Sequence, residues 1–373
     1  MNQITQITDL LEQREIKRAE SLIAKTLRNT PDGTTKSHVY LQRARLKLLT
    51  QRPEEALRDI DHALANIDDV TGDSPQVREL LADSLLMRYE MALVGFADKA
   101  DLLKSQEHYL WIIENVPQHD NLGWVYYQLG RIDLILTKTT DAIEYLNKAL
   151  FAPSIIPELT AYIYERLGFI AFYEQRNPAM SDVLLTKALH TYPSYLPKQW
   201  IIQVLLLRTR ILMKTDLTKA LLVSQEAVAL TSTGTDKTLL SEVLLHQSEI
   251  LDAFGDRPSD VIDVIQRYLM LNKPPMGVDV TAARVHERLA NAYMQTHAFE
   301  AAIEAYATAL TYNPDNPWEH TLRYQIAVAN FDLGNVAEAR KILNNLITDE
   351  DIQPTDLKNA STLLDQIDTV APS

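Results

Sequence analysis

The chain has 373 residues, of which 46% are hydrophobic and only 10 are glycine, so it can build a large core but not a loop-rich fold. Its formal net charge of −14 argues against nucleic-acid binding, because a phosphate backbone requires a positive protein surface. The absence of cysteine excludes disulfides, thiolate metal ligands and cysteine nucleophiles.

Nine segments along the chain share a spacing that predicts the second helix of a helix pair. A small residue is followed by a usually bulky residue four positions later and a usually small one seven positions later, all on one helical face. In chain order, the segments begin at Ala19, Ala56, Ser105, Ala142, Ser181, Ala220, Asp260, Ala302 and Ala339. Successive starts are 37 to 49 residues apart, which predicts about nine helical repeats.

The clearest copy lies between His286 and Pro314. Its motif positions are Leu289, Ala290, Tyr293, Ala302, Tyr306, Ala309 and Pro314. This copy resembles the tetratricopeptide repeat, W-x2-L-G-x2-Y…A-x3-F…P over about 34 residues. The resemblance implies an all-α fold, a right-handed α-α superhelix, because one helix pair cannot bury its apolar face without stacked copies.

We expect a repeat array over residues 1–348 and a C-terminal capping helix over residues 355–369, which covers the last apolar face of the solenoid. A cluster of polar turn residues at 66–76 occupies the longest gap between repeats. This cluster predicts a soft joint within a single array.

Neither a targeting segment nor a membrane span is expected. The stretch from Met1 to Glu15 is polar and contains acids, unlike a signal or transit peptide. The most apolar run, Trp200 to Met213, contains charges and is too short to cross a bilayer. These features predict a cytoplasmic protein that does not insert into membranes.

The sequence carries no enzymatic or metal-binding motif. It contains no glycine-rich phosphate loop, no G-x-S-x-G and no H-E-x-x-H. His246 and Glu249 lie one helical turn apart but offer two ligands, whereas a zinc site needs three or four. We therefore predict a protein without catalytic residues, metal or cofactor.

Aromatic residues are concentrated in the fourth to sixth repeats, where 15 of the 27 lie between Tyr109 and Trp200. In tetratricopeptide folds the first helix of each pair lines the concave groove. The resemblance therefore implies a groove formed by Trp124, Tyr127, Arg131, Tyr162, Arg166, Phe169, Phe172, Tyr173 and Leu205. Aromatic rings and arginine are typical of interface hot spots. The alternative is that these rings pack between neighbouring repeats.

A second candidate site lies in the eighth repeat. Arg284, Arg288 and Asn291 fall at i, i+4 and i+7 on one helical face, which should also face the groove. An anionic group, such as a partner's carboxylate, would suit this face. The alternative is that the arginines only balance local acids, Glu287 and Glu319.

These features predict a non-enzymatic protein–protein interaction scaffold or adaptor that holds an extended peptide or a helix of a partner protein. The partner would be basic, to match the acidic chain, or would carry a free carboxylate. One alternative is a ligand-sensing helical-repeat module that binds a small molecule and signals to an effector on another chain. Another is self-assembly into a homo-oligomer through the ends of the array.

Overall fold

The computed structural model describes residues 3–12, 15–30, 33–50, 52–67, 74–92, 98–153, 155–194, 198–232, 237–272 and 277–370. In these residues the regular secondary structure consists of nineteen α-helices and no strand, which confirms the predicted all-α repeat fold. The helices are α1 (Gln3–Glu12), α2 (Ile16–Asn29), α3 (Thr34–Leu49), α4 (Pro53–Ala65), α5 (Pro75–Ala92), α6 (Lys99–Asn115), α7 (Leu122–Ile135), α8 (Thr139–Leu150), α9 (Pro157–Tyr173), α10 (Pro178–Thr191), α11 (Lys198–Leu212), α12 (Leu217–Ser232), α13 (Lys237–Phe254), α14 (Pro258–Leu271), α15 (Val280–Gln295), α16 (Phe299–Tyr312), α17 (Glu319–Asp332), α18 (Val336–Ile347) and α19 (Pro354–Val370).

The chain divides into two compact units, Met1–Val204 and Leu205–Ser373. In the first unit the closest helix neighbours are the consecutive pairs α3 with α4, α5 with α6, α7 with α8 and α9 with α10. In the second unit they include α13 with α14, α15 with α16 and α17 with α18. Each pair matches one predicted repeat, so odd-numbered helices are first helices and even-numbered ones are second helices.

The small residues that begin the repeat spacing lie where the two helices of a pair meet. Eight of the nine predicted starting residues are fully buried, but Asp260 is exposed. In that repeat Val261 and Ile265 are buried instead, so the predicted spacing was one residue early. The starting residue Ser105 donates a hydrogen bond to the Ala82 carbonyl at 2.8 Å, which explains how a polar residue can replace alanine there.

Several of the described turns between paired helices share a left-handed residue after the first helix. Thr137 and His297 have φ of 60° and 58°, and Gly334 has φ of 83°. The next amide donates back to the first helix, as in the bond from Lys138 N to Asp133 O at 2.8 Å. This closure is the Schellman type, which fixes how the second helix returns against the first.

The last helix packs against the preceding pair, where its Ala360, Leu363 and Ile367 join the buried cluster that contains Ala339 and Leu343. It therefore covers apolar surface of the final repeat, as expected of a capping helix.

Two further sequence-based expectations concern the whole chain. Of the predicted soft joint at 66–76, residues 68–73 lie outside the described residues, so the joint stays a prediction. Across the described helices, none combines the length and apolar character needed to cross a membrane.

Candidate functional site

The first helices of the first unit surround a cavity of about 720 Å³, which we call the first-unit cavity. Helices α1, α3, α5, α7 and α9 all contribute, together with the segments that precede α7 and α9. The cavity is lined by Thr8, Arg45, Glu79, Asp83, Leu86, Met87, Glu90, Asp120, Asn121, Gly123, Trp124, Gln128, Arg131, Pro153, Ile155, Ile156, Glu158, Leu159 and Tyr162. Successive first helices thus share one concavity, which brings together the predicted residues Trp124, Arg131 and Tyr162.

The aromatic residues of α7 and α9 form a chain of ring contacts along one side of this cavity. The Trp124 and Tyr127 ring centroids are 5.7 Å apart, and those of Tyr127 and Tyr162 are 6.5 Å apart. The ring of Trp200 continues the series, 5.3 Å from Tyr162. Tyr127 is buried and packs between repeats, whereas Trp124 and Tyr162 are half-buried and also line the cavity.

The cavity is acidic, a property that the predicted aromatic groove did not include. Its lining contains five carboxylates and two arginines, a formal net charge of −3. Three of the carboxylates, Glu79, Asp83 and Glu90, lie on one face of α5 at i, i+4 and i+11. This spacing is visible in the sequence, but polar residues on one helical face are usually solvated and do not by themselves indicate a site.

Hydrogen bonds fix two of the carboxylates against the aromatic rings. Asp83 Oδ1 accepts from the Trp124 indole at 3.1 Å and from the Tyr109 hydroxyl. Glu158 Oε1 accepts from the Tyr162 hydroxyl at 2.7 Å. Among the described residues, no hydrogen bond reaches Asp83 Oδ2 or Glu158 Oε2. Each of these carboxylates therefore has one oxygen without a hydrogen-bond partner in the part of the chain that the structure describes.

The other charged groups of the cavity differ in how far they are neutralised. Arg131 is paired with Glu90 and also donates to Gln128 at 2.8 Å, so its charge is largely balanced. Glu79 accepts from His119 at 2.7 Å and from Asn121 at 3.0 Å.

Glu79 nevertheless lies in an unfavourable electrostatic environment. Burial raises the pKa of its carboxyl, and the charge of Asp83 raises that pKa further. The hydrogen bonds from His119 and Asn121 oppose the shift without cancelling it. A cation that entered the cavity would relieve this repulsion between carboxylates.

The remaining predicted residues of the first unit lie outside the lining of this cavity. Phe169, Phe172 and Tyr173 form a separate aromatic cluster at the end of α9, with the centroids of Phe169 and Tyr173 4.5 Å apart. Tyr173 is 46% exposed. Arg166 forms an ion pair with its neighbour Glu165 at 3.3 Å.

Leu205 was expected in the groove but is fully buried in the second unit, so it offers no accessible surface to a partner. Its helix α11 is apolar on several sides, with Val204 and Leu206 also buried. Helical spacing alone therefore could not indicate which side of α11 faces the core.

The second unit has a cavity of its own, with a volume of about 650 Å³. The predicted Arg284, Arg288 and Asn291 all line it, together with Asp252 and the 64% exposed Trp318. The structure therefore brings these three residues to one concavity between α13, α15 and the segment before α17.

Arg288 is neutralised by the preceding first helix α13. It donates to Ser248 Oγ at 3.1 Å and to Asp252 Oδ2 at 3.4 Å, and lies 3.8 Å from Glu249. Of the two acids expected to balance the arginines, Glu319 instead pairs with Arg323 at 2.7 Å. The other, Glu287, does interact with them: burial raises the pKa of its carboxyl, and the charges of Arg284 and Arg288 oppose that shift. Helix α13 thus supplies partners for Arg288 that the sequence did not identify.

Arg284 is exposed and has no ion pair with any residue that the structure describes. Asn291 accepts a hydrogen bond from the Tyr306 hydroxyl, which holds its amide in place.

The suggested pair of metal ligands has another role. His246 Nδ1 lies 3.0 Å from Glu249 Oε2, and its Nε2 lies 2.9 Å from an Arg210 nitrogen. Within the described part of the chain, no group of three or more His, Asp or Glu is arranged to hold a metal. His246 instead links the first helices α11 and α13.

Comparison with known proteins identifies the repeat. The sequence profile of the tetratricopeptide repeat matches residues 283–316, the α15–α16 pair that carries the clearest motif. The chain is a tetratricopeptide repeat protein. Repeats of this family typically form protein-interaction modules and are usually not catalytic.

Two solved structures share the fold of this tetratricopeptide repeat protein. A signal transduction ATPase with numerous domains from Pyrococcus horikoshii, which has a tetratricopeptide repeat sensor, aligns with 90% of this chain at 17% identity and a TM-score of 0.51. The match covers 50% of the ATPase, so the chain spans about half of its length. The apo form of RapI aligns with 89% of this chain and 97% of its own, at 10% identity and a TM-score of 0.59. At these identities the likeness concerns the fold alone. No curated protein sequence shows significant similarity to the chain.

Proposed function

We propose that this tetratricopeptide repeat protein is an interaction scaffold that binds an extended segment of a partner protein in the first-unit cavity. The observation that carries the proposal is that five successive first helices line one concavity with Trp124, Tyr162 and Arg131 in its wall. Aromatic and arginine side chains dominate the energetics of protein interfaces.

The cavity wall is preorganised, which favours tight binding. Trp124 is held by Asp83, Tyr162 by Glu158, and Arg131 by its pair with Glu90. Because these side chains are already fixed, a partner would lose little of its binding energy to ordering them.

The absence of cysteine gives a direct test of this proposal. Ile156 lines the cavity and is 56% exposed, so an Ile156→Cys variant can be labelled with a bulky maleimide at the cavity mouth. Val183 on α10 is 50% exposed and is not part of the cavity lining, so Val183→Cys is the matched control. Peptides would be selected from a displayed random library against the full wild-type chain.

The selected peptides should bind both unlabelled variants and the labelled Val183→Cys protein, but not the labelled Ile156→Cys protein. The proposal is refuted if the label at Ile156 leaves peptide binding unchanged, or if both labels reduce it equally.

A small-molecule ligand is the second candidate, and the volume of the first-unit cavity favours it. Ligand pockets typically measure about 300–1,000 Å³, and the cavity of about 720 Å³ falls in this range. Native mass spectrometry of the purified chain tests this candidate. The small-molecule function would be established over the scaffold by two results together. A bound small molecule would be displaced by the label at Ile156→Cys, and the library would yield no peptide that binds.

A further inference from the structure

The first-unit cavity has a chemical preference that its charge and its free oxygen atoms define. Resting on the proposed function, we infer that the partner segment is basic and anchors a lysine or arginine side chain between the carboxylates of Asp83 and Glu158. The inference concerns the chemistry of the occupant, so it can fail while the scaffold function stands.

The charges that line the cavity do not balance. Five carboxylates face two arginines there, and Arg131 is already paired with Glu90. Arg45 is then the one lining cation without an ion pair among the described residues, against Asp83, Asp120 and Glu158. Glu79 already accepts hydrogen bonds from His119 and Asn121. A cationic side chain would reduce this excess negative charge, whereas an acidic one would increase it.

Two of the lining carboxylates each have an oxygen atom that accepts no hydrogen bond from a described residue. Asp83 and Glu158 belong to α5 and α9, which both line the cavity, and each uses one oxygen to hold an aromatic ring. Their second oxygens are free within the described residues and can accept charge-assisted hydrogen bonds, which are stronger than neutral ones.

Apolar surface lies beside these carboxylates. Trp124 and Tyr162 adjoin them, and Leu86, Ile155 and Leu159 also line the cavity. Lysine and arginine carry an aliphatic stem that packs on apolar surface and a cationic head that is attracted to aromatic rings. A basic side chain therefore complements both the polar and the apolar parts of the wall.

A peptide recovered from the library supplies the probe. Each arginine of the tightest peptide would be replaced by citrulline, which keeps the shape and removes the charge, and each lysine by norleucine. Isothermal titration calorimetry at two salt concentrations would compare these peptides on the wild-type chain. One such replacement should weaken binding by about tenfold or more and reduce the salt dependence of the affinity.

The matching protein variant is Glu158→Gln, because Glu158 is half-buried near the start of α9 and its loss should not prevent folding. Glu158→Gln should weaken the binding of the basic peptide by about tenfold and weaken the binding of the citrulline peptide much less. The control is Glu114→Gln, an exposed acid on α6 that is not part of the cavity lining, which should leave both affinities unchanged.

The indole N–H resonance of Trp124 gives a second readout, which reports where the ligand binds. Acetyl-arginine amide should shift this resonance in the wild-type chain, and acetyl-citrulline amide should not. The resonance is assigned by its absence in Trp124→Phe.

The outcomes separate this inference from the proposed function. The label at Ile156→Cys could block peptides whose affinity does not change when citrulline or norleucine replaces their basic residues. That result would overturn the basic anchor and leave the proposed scaffold function standing. Concentration-dependent self-association that Glu158→Gln abolishes would also overturn the inference, because a second copy of the chain would then be the occupant.

Discussion

Gly130 provides the sharpest test of how paired helices pack. A Cβ atom at this position of α7 would lie 2.8 Å from Leu146 Cγ and 3.2 Å from the Ala142 carbonyl oxygen. Neither atom can move easily, because one is the branch point of a fully buried side chain and the other is backbone of α8. Gly130→Ala should therefore force α7 and α8 apart.

The magnitude follows from two opposing effects. Overpacking a core costs about 1–3 kcal/mol, and the backbone contact places this site near the upper end. Alanine gains up to about 1 kcal/mol over glycine inside a helix. We expect Gly130→Ala to lower the free energy of unfolding by about 2 kcal/mol, measured by urea denaturation followed by circular dichroism.

Gly123 on the same helix is the control. Its added Cβ would meet Ala152 Cβ at 3.4 Å and Leu159 Cδ2 at 3.6 Å, which are ordinary contact distances. Gly123→Ala should therefore be neutral or slightly stabilising. The packing argument is refuted if Gly130→Ala is as stable as the wild type, or if Gly123→Ala is the more destabilised variant.

Three further predictions concern packing, ion pairing and pH. Ala302→Leu, at a fully buried position, should lower the melting temperature clearly more than Glu304→Leu, at an exposed one, and equal effects would mean that the helix phase is wrong. Arg288→Ala should destabilise by about 1 kcal/mol because it removes the hydrogen bonds that join α15 to Ser248 and Asp252 of α13. The exposed Arg284→Ala should change stability by less than about 0.5 kcal/mol in urea unfolding. Because the pKa of Glu79 is raised, the folded chain binds the carboxyl proton more tightly than the unfolded chain does. Ionised Glu79 therefore destabilises the fold at pH values above its folded pKa. The free energy of unfolding recovers as the pH falls through that pKa. The free energy of unfolding would be measured at pH 7 and pH 5 for the wild type and for Glu79→Gln. The variant should lack the contribution of Glu79 ionisation to the difference between the two pH values. The same difference in both proteins would contradict the prediction.

The sequence predicted the repeat fold because packing constrains the same few positions in every pair. Ala142 and Ala302 are small since a neighbouring helix leaves no room there, and this requirement is readable without a structure. Asp260 was misassigned because the buried position is taken by a branched residue, Val261, rather than a small one. The repeat spacing therefore misplaced the buried position in the one repeat where a branched residue replaces the usual small residue.

The candidate site was predictable only in part. Trp124, Arg131 and Tyr162 were found because the repeat fixes which helices line the groove. Asp83 was missed because its contacts with Trp124 and Tyr109 depend on how neighbouring helices stack. Glu158 lies four residues before Tyr162 on the same helix, so that contact was readable from the sequence and was overlooked. Contacts between repeats are set by inter-helix geometry, which no single segment of sequence contains.

The most direct test of the binding proposal is a crystal structure of the full chain with the tightest peptide from the library. The account predicts that the peptide lies in the first-unit cavity, with a lysine or arginine hydrogen-bonded to the carboxylates of Asp83 and Glu158 beside Trp124. A peptide bound on the second helices, or one that places an acidic or apolar side chain between these carboxylates, would contradict the account.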